Sequence, residues 1–178
     1  MKEGRTFTTA QLARILDRPI RFCIDWAERG IFAADLQEAA GPGSRRKFSY
    51  GAVLRAALGL FLQNQYSFSR AKIKEILEKL SRWNFFLYWD GSLETKDQLI
   101  PSEGGWYSVS SLESDTLSLI IVNTSGDTRV SWSAGPLIEA LKESIALIGG
   151  RNIDASDIVG FDLTPIKQGI DAKIAQLQ

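Results

Sequence analysis

Apolar positions recur at helical spacing through the first 80 or so residues and at strand-like spacing in much of the remainder. In TTAQLARIL, residues 8–16, Leu12, Ile15 and Leu16 share one face, and Thr8 or Thr9 offers a capping hydroxyl. Asp17-Arg18-Pro19 ends this helix, because the residue before a proline is pushed out of the helical region. Pro19 fits the first turn of a second helix through IRFCIDWAER, which Gly30 stops. Two short helices joined by so short a turn make a helix-turn-helix. The stretch IFAADLQEAAGPGSRRKF has no sustained period and reads as a loop or hairpin with Gly41 to Gly43 at its tip. YGAVLRAALGLFLQNQ is a mostly apolar helix, with Gly51 in its first turn and Gly59 where a close helix approach would explain it. SFSRAKIKEILEKL is a further helix, capped by Ser67 or Ser69, with Ile73, Ile76, Leu77 and Leu80 facing inward.

The texture changes at residue 83. WNFFLYW, WYSVSSL, TLSLIIVNT and TRVSWS are short runs of aromatic and β-branched residues, separated or flanked by DGS, EGG and SGD. SLIIVNTSGDTRVSWS reads as a β-hairpin, PLIEALKESIALIGG as an amphipathic helix, the next stretch as a loop, and TPIKQGIDAKIAQLQ as a last helix with Thr164 as its cap. The expected fold class is α+β: a helical N-terminal domain over residues 1–82, then a small α+β domain with an antiparallel sheet over residues 83–178.

Charge sharpens that division. The chain has 21 Lys and Arg and 21 Asp and Glu, for no net charge. Residues 1–82 hold 15 of the cations and 8 of the anions, a net of +7, and residues 83–178 hold 6 and 13, a net of −7. A basic front half suits a polyanion, and an acidic back half does not. The sequence has no histidine, which removes the usual general base and the commonest transition-metal ligand. No nucleophile and base pair can be named and the carboxylates show no metal-loop spacing, so neither an enzyme nor a metal or cofactor is expected. No apolar run approaches the ~20 residues of a membrane span. The N-terminus lacks a signal-peptide pattern and the one cysteine, Cys23, cannot pair internally, so a cytoplasmic protein is expected. Trp83, Trp89, Trp106 and Trp132 suit a sheet core, or the lining of a ligand pocket.

The order helix, turn, helix, basic loop and two further helices resembles the MerR-type winged helix-turn-helix family. Phe7 stands at the family's aromatic start, before Ala10-Gln11-Leu12-Ala13, and Gly30-Ile31 matches the end of its second helix. Arg46, Phe48, Ser49 and Val53 match the run from wing to helix, and Phe68, Ser69, Ile73 and Lys74 match the start of the fourth helix. The resemblance covers less than half the chain. Ile24, Asp25 and Trp26 stand where the family usually carries an arginine and tyrosines, and strands replace the long dimerisation helix. Paired cysteines of the metal-sensing members have no counterpart.

What the resemblance implies is a transcriptional regulator that binds double-stranded DNA. Arg45, Arg46 and Lys47 would meet phosphates from the wing, which positions a protein without reading sequence. Arg18 and Arg21 flank the start of the second helix, where the helix dipole favours an anion, and that helix would enter the major groove. Ile20, Arg21 and Ile24 are candidates for its base-facing side, and Asp25 should point elsewhere. The C-terminal domain would sense a small molecule or protein effector, or dimerise. The stripe Ile166, Ile170, Ile174 and Leu177 on the last helix is either a homodimer seam or a face packed on the domain's own sheet. The alternative is a protein-interaction adaptor that uses the same fold, with the acidic domain as the partner surface.

Overall fold

The computed structural model describes residues 5–37, 45–82, 85–89, 106–108, 117–124, 127–134, 137–138, 141 and 158–177. The fold is α+β, and the chain divides into two compact units. The first is Met1–Leu99 with Gly169–Gln178, and the second is Ile100–Gln168. Counted by unit, Lys and Arg stand 17 to 12 against Asp and Glu in the first and 4 to 9 in the second, so the nets are +5 and −5. The charge asymmetry therefore survives, although the unit border does not coincide with the charge break at Arg82.

In the first unit, strand β1 (Phe7–Thr8) leads into helix α1 (Thr9–Ile15). Thr8 caps α1 reciprocally: the Gln11 N–H donates to Thr8 Oγ1 at 3.3 Å and the Thr8 N–H to Gln11 Oε1 at 2.9 Å. The α1 terminus needs a left-handed residue, and Asp17 supplies it at φ 51°. The Asp17 N–H then bonds Arg14 O (3.2 Å) and the Arg18 N–H bonds Ala13 O (2.9 Å). Helix α2 (Ile20–Glu28) follows, with Pro19 just outside its amino end rather than in its first turn. It closes in the same way at Gly30, φ 66°: Gly30 N–H to Ala27 O and Ile31 N–H to Trp26 O, both 3.0 Å.

Trp26 and Cys23 of α2 are fully buried. Rings stack from Phe22 to Trp26 (4.7 Å between centroids), to Phe32 (6.2 Å), to Phe48 (6.1 Å), so one aromatic row joins α2 to strand β2 (Lys47–Phe48). β2 pairs antiparallel with β1, Phe7 opposite Phe48, and Lys47 also bridges Gln37. Helix α3 (Tyr50–Tyr66) starts at the Ser49 cap and carries Leu54, Leu58 and Leu62 through the core. Helix α4 (Arg70–Arg82) buries the expected Ile73, Ile76, Leu77 and Leu80. The approach of α2, α3 and α4 is close at Gly59, where a Cβ would lie 3.2 Å from both Trp26 and Leu77.

WNFFLYW departs from expectation. Phe85–Trp89 is not a strand but a short helix, α5, packed on α3 and α4 with Phe85, Phe86 and Trp89 buried. The i, i+1, i+4 spacing of those three residues gives one helical face, which an unbroken apolar run conceals.

The second unit holds a four-stranded sheet in the order β3-β5-β4-β6: β3 (Trp106–Ser108), β4 (Leu117–Thr124), β5 (Asp127–Ala134) and β6 (Ile158–Asp162). β4 and β5 form the expected hairpin, from Leu117 opposite Ala134 to Thr124 opposite Asp127. The sheet is mixed rather than antiparallel, because β3 runs parallel to β5. β6 forms where the sequence reads as loop, since Gly160 interrupts its pattern. A Cβ at Gly160 would lie 3.0 Å from Leu137 and 3.1 Å from Leu141, helical residues packed with Ile120, Val122 and Ile158. The rest of the helix expected over PLIEALKESIALIGG, the loop tip Gly41 to Gly43 and Trp83 lie outside the described residues.

Helix α6 (Thr164–Ala175) begins in the second unit and ends in the first. Asp162 Oδ1 accepts the Thr164 N–H at 2.8 Å, and Ile170 and Ile174 are buried. Tyr50 Oη donates to the Asp171 carboxylate, and Lys173 Nζ donates to that of Asp17. No described helix is long and apolar enough to cross a membrane.

Candidate nucleic-acid interface

Helix α2 buries one side and presents the other. With Cys23 and Trp26 inward, Ile20, Ile24 and Glu28 line the outer side at four-residue spacing, with Arg21 and Asp25 beside them. The first N–H groups of α2 have no side-chain cap, since Pro19 offers none. Arg21 is exposed in that first turn and makes no ion pair among the described residues. Arg18, one turn earlier, is folded down instead. Its guanidinium carbon sits 5.7 Å from the Phe22 ring centroid, and Nη2 donates to Asn64 Oδ1 at 3.3 Å.

The other end of α2 meets the strand that leaves the loop. Arg46 Nη2 lies 3.6 Å from Glu28 Oε1, and the Arg46 side chain is only 18% exposed. Arg45 and Lys47, on either side, are exposed. Alternation along an extended backbone explains the pattern, because neighbours in sequence point to opposite faces. Lys47 also supplies backbone pairing to both sides: its N–H donates to Gln37 O (2.9 Å), its carbonyl accepts from Leu36 and Gln37, and it stands opposite Thr8. Asp35 fastens the loop to the start of α3, accepting the Ser49 N–H at 2.7 Å and the Ser49 hydroxyl. Ser49 Oγ in turn accepts the Ala52 N–H at 3.1 Å. The basic strand is thus held by Phe48 beneath it, Glu28 beside it and Gln37 opposite it.

Of the five cations singled out in the sequence, Arg21, Arg45 and Lys47 project outward. Arg46 and Arg18 are engaged within the protein. A further group is assembled only by the fold. Asp25 Oδ1 accepts from Arg29 Nε at 2.6 Å, and Oδ2 from Arg70 Nη1 at 3.1 Å, joining α2 to the start of α4. The hydrogen bond from Arg29, with the nearby Arg70 charge, holds the Asp25 carboxyl below its ordinary range despite some desolvation. The Asp25–Arg29 spacing of four is visible in sequence, whereas Arg70 lies 45 residues away. The α2 acids are therefore matched by cations, and the cations that remain outward give the surface a positive excess.

Cys23 adds no chemistry. Burial pushes its thiol up to about 11, so it stays protonated at neutral pH. The chain matches no known family model, and no curated protein matches it at significant similarity.

Proposed function

We propose that this chain is a cytoplasmic DNA-binding transcriptional regulator, with residues 5–82 acting as a winged helix-turn-helix of MerR type. The observation that carries the reading is the Glu28–Arg46 pair. It seats the basic strand against the outer side of α2, so that Arg45, Lys47 and Arg21 project from one assembly. In this reading α2 enters the major groove and the wing lies along the backbone, where its cations displace counterions. Arg18 braces the turn from within and reaches phosphate only if it leaves Phe22. Asp25 faces its two arginines and adds little repulsion.

The acidic second unit serves as the effector-sensing or partner-docking part, and the regulator works as a homodimer, because one such module reads only one half-site. No catalytic step is invoked.

The test is binding of the full chain to pooled random duplexes at two salt concentrations, followed by sequencing of what is retained. Three or four phosphate contacts per module, and so six to eight for the dimer, give a slope of about −5 to −7, or a loss on the order of a thousandfold to ten-thousandfold between 50 and 200 mM salt. Enrichment of a two-fold symmetric sequence with that slope supports the reading. Absence of salt-dependent duplex binding overturns it in favour of a protein-interaction adaptor.

A further inference from the structure

We infer that Ile20 reads a thymine methyl group, with Arg21 beside it on a guanine edge, so that each half-site carries a thymine and a guanine within the few base pairs that the first turn of α2 spans. The inference rests on the proposal that α2 is the groove-entering helix, and it names what that helix recognises.

Most side chains along the outer side of α2 are already engaged within the protein. Asp25 is held by Arg29 at 2.6 Å and Arg70 at 3.1 Å. Glu28 is paired with Arg46 at 3.6 Å. Ile24 is half-buried, and Arg18 lies against Phe22 and Asn64. Two side chains remain. Arg21 is exposed and makes no ion pair among the described residues, and Ile20 is 49% exposed. Only Leu36 and Ile138 share such exposure among the described large apolar residues, and Ile20 is the one carried by α2.

The chemistry of the two remaining groups sets the sequence they favour. An aliphatic side chain offers no donor or acceptor. In the major groove its favourable neighbour is the thymine C5 methyl, the one apolar group displayed there. Cytosine carries only a hydrogen at C5, beside its N4 amino group, and gives the side chain no methyl to cover. The planar fork of Arg21 fits the paired O6 and N7 acceptors of guanine. The outer side of α2 holds no Asn or Gln, the usual readers of adenine, so its direct readout is limited to these two contacts.

The experiment replaces each thymine of the selected duplex, one at a time, with deoxyuridine, which removes the methyl and keeps every hydrogen-bonding group. For the full chain, one position per half-site should lose affinity by about fourfold, the worth of one buried methyl. The variant Ile20→Ala should bind the thymine and deoxyuridine duplexes equally, with the salt slope unchanged. Its half-exposed position makes that substitution compatible with folding, and circular dichroism checks it. If no thymine is sensitive, or if Ile20→Ala keeps the fourfold difference, Ile20 does not read the methyl while the DNA-binding reading stands. If no duplex is retained at all, both fall together.

Discussion

Asp25 shows how a single carboxylate alters the character of a surface. It stands on the outer side of α2, where phosphate would repel it, yet it turns both oxygens to Arg29 and Arg70. Substituting Asp25→Asn should release those two cations and remove one like charge. Affinity for all duplexes should rise together, and the salt slope should steepen by up to ~0.9 for each new phosphate contact. Titration with mixed-sequence duplex at several salt concentrations measures both, and an unchanged slope would mean that Arg29 and Arg70 lie off the DNA path. The same group sets a pH limit. Its pKa is lowered in the folded protein from 3.8, chiefly by the Arg29 hydrogen bond. Its contribution is therefore complete above that ordinary value and is lost as pH falls through the lower, folded one. Thermal melts should show this part of the acid limb only below about pH 4, and Asp25→Asn should remove it. No imidazole titrates in between, since the chain has no histidine.

Elements were legible wherever a face repeats over three turns or an end carries its own cap. The α4 stripe of Ile73, Ile76, Leu77 and Leu80 is such a case, and so are the α1 cap, read as Thr8 or Thr9 and found at Thr8, and the Gly30 terminus. α5 was not legible, because five apolar residues in a row suit a buried strand as well as one helical turn. β6 was hidden by Gly160, whose missing Cβ admits Leu137 and Leu141 and also weakens the strand pattern. The candidate site was legible as a set of cations and not as an arrangement, since Arg46–Glu28 and Arg70–Asp25 are tertiary pairs. Glycines test the packing of elements directly. At Gly59 a methyl would meet Leu77 and Trp26 at 3.2 Å and Ile73 at 3.3 Å, all fully buried, so that they give way only by displacing the packed core. Overpacking of ~1–3 kcal/mol should outweigh the ~1 kcal/mol of helix propensity gained, so Gly59→Ala should destabilise. At Gly169, in α6, a methyl meets nothing within 4 Å. Gly169→Ala should stabilise by up to ~1 kcal/mol in chemical denaturation. The basic residues around β2 divide likewise. Arg45→Ala with Lys47→Ala should flatten the salt slope by up to ~1.8 per module, ~3.6 for the proposed dimer, whereas Arg46→Ala should act mainly by loosening the strand from Glu28.

For the whole molecule, the outcome turns on where the last helix ends. Its stripe of Ile166, Ile170, Ile174 and Leu177 suggested either a dimer seam or a cover for the chain's own sheet. Ile170 and Ile174 are instead buried in a segment that groups with the helical unit, and Asp171 and Lys173 bond Tyr50 and Asp17 there. Asp17 is the left-handed residue between α1 and α2, so the C-terminal segment is tied to the turn that joins those two helices. Burying two isoleucines contributes about 3–6 kcal/mol, a large share of the ~5–15 kcal/mol that holds a typical domain folded. Deleting Gly169–Gln178 should therefore lower the melting temperature sharply. A fragment of residues 1–82 should fare worse, because it also lacks the buried Phe85, Phe86 and Trp89 of α5, and limited proteolysis should not accumulate it. The proposed dimer has to use another surface. Light scattering of the deletion variant, at a temperature where circular dichroism shows it folded, should then report the same oligomeric state as the full chain. A deletion variant that keeps its melting temperature but turns monomeric would reverse the assignment, making the stripe the seam between two copies rather than the brace of one.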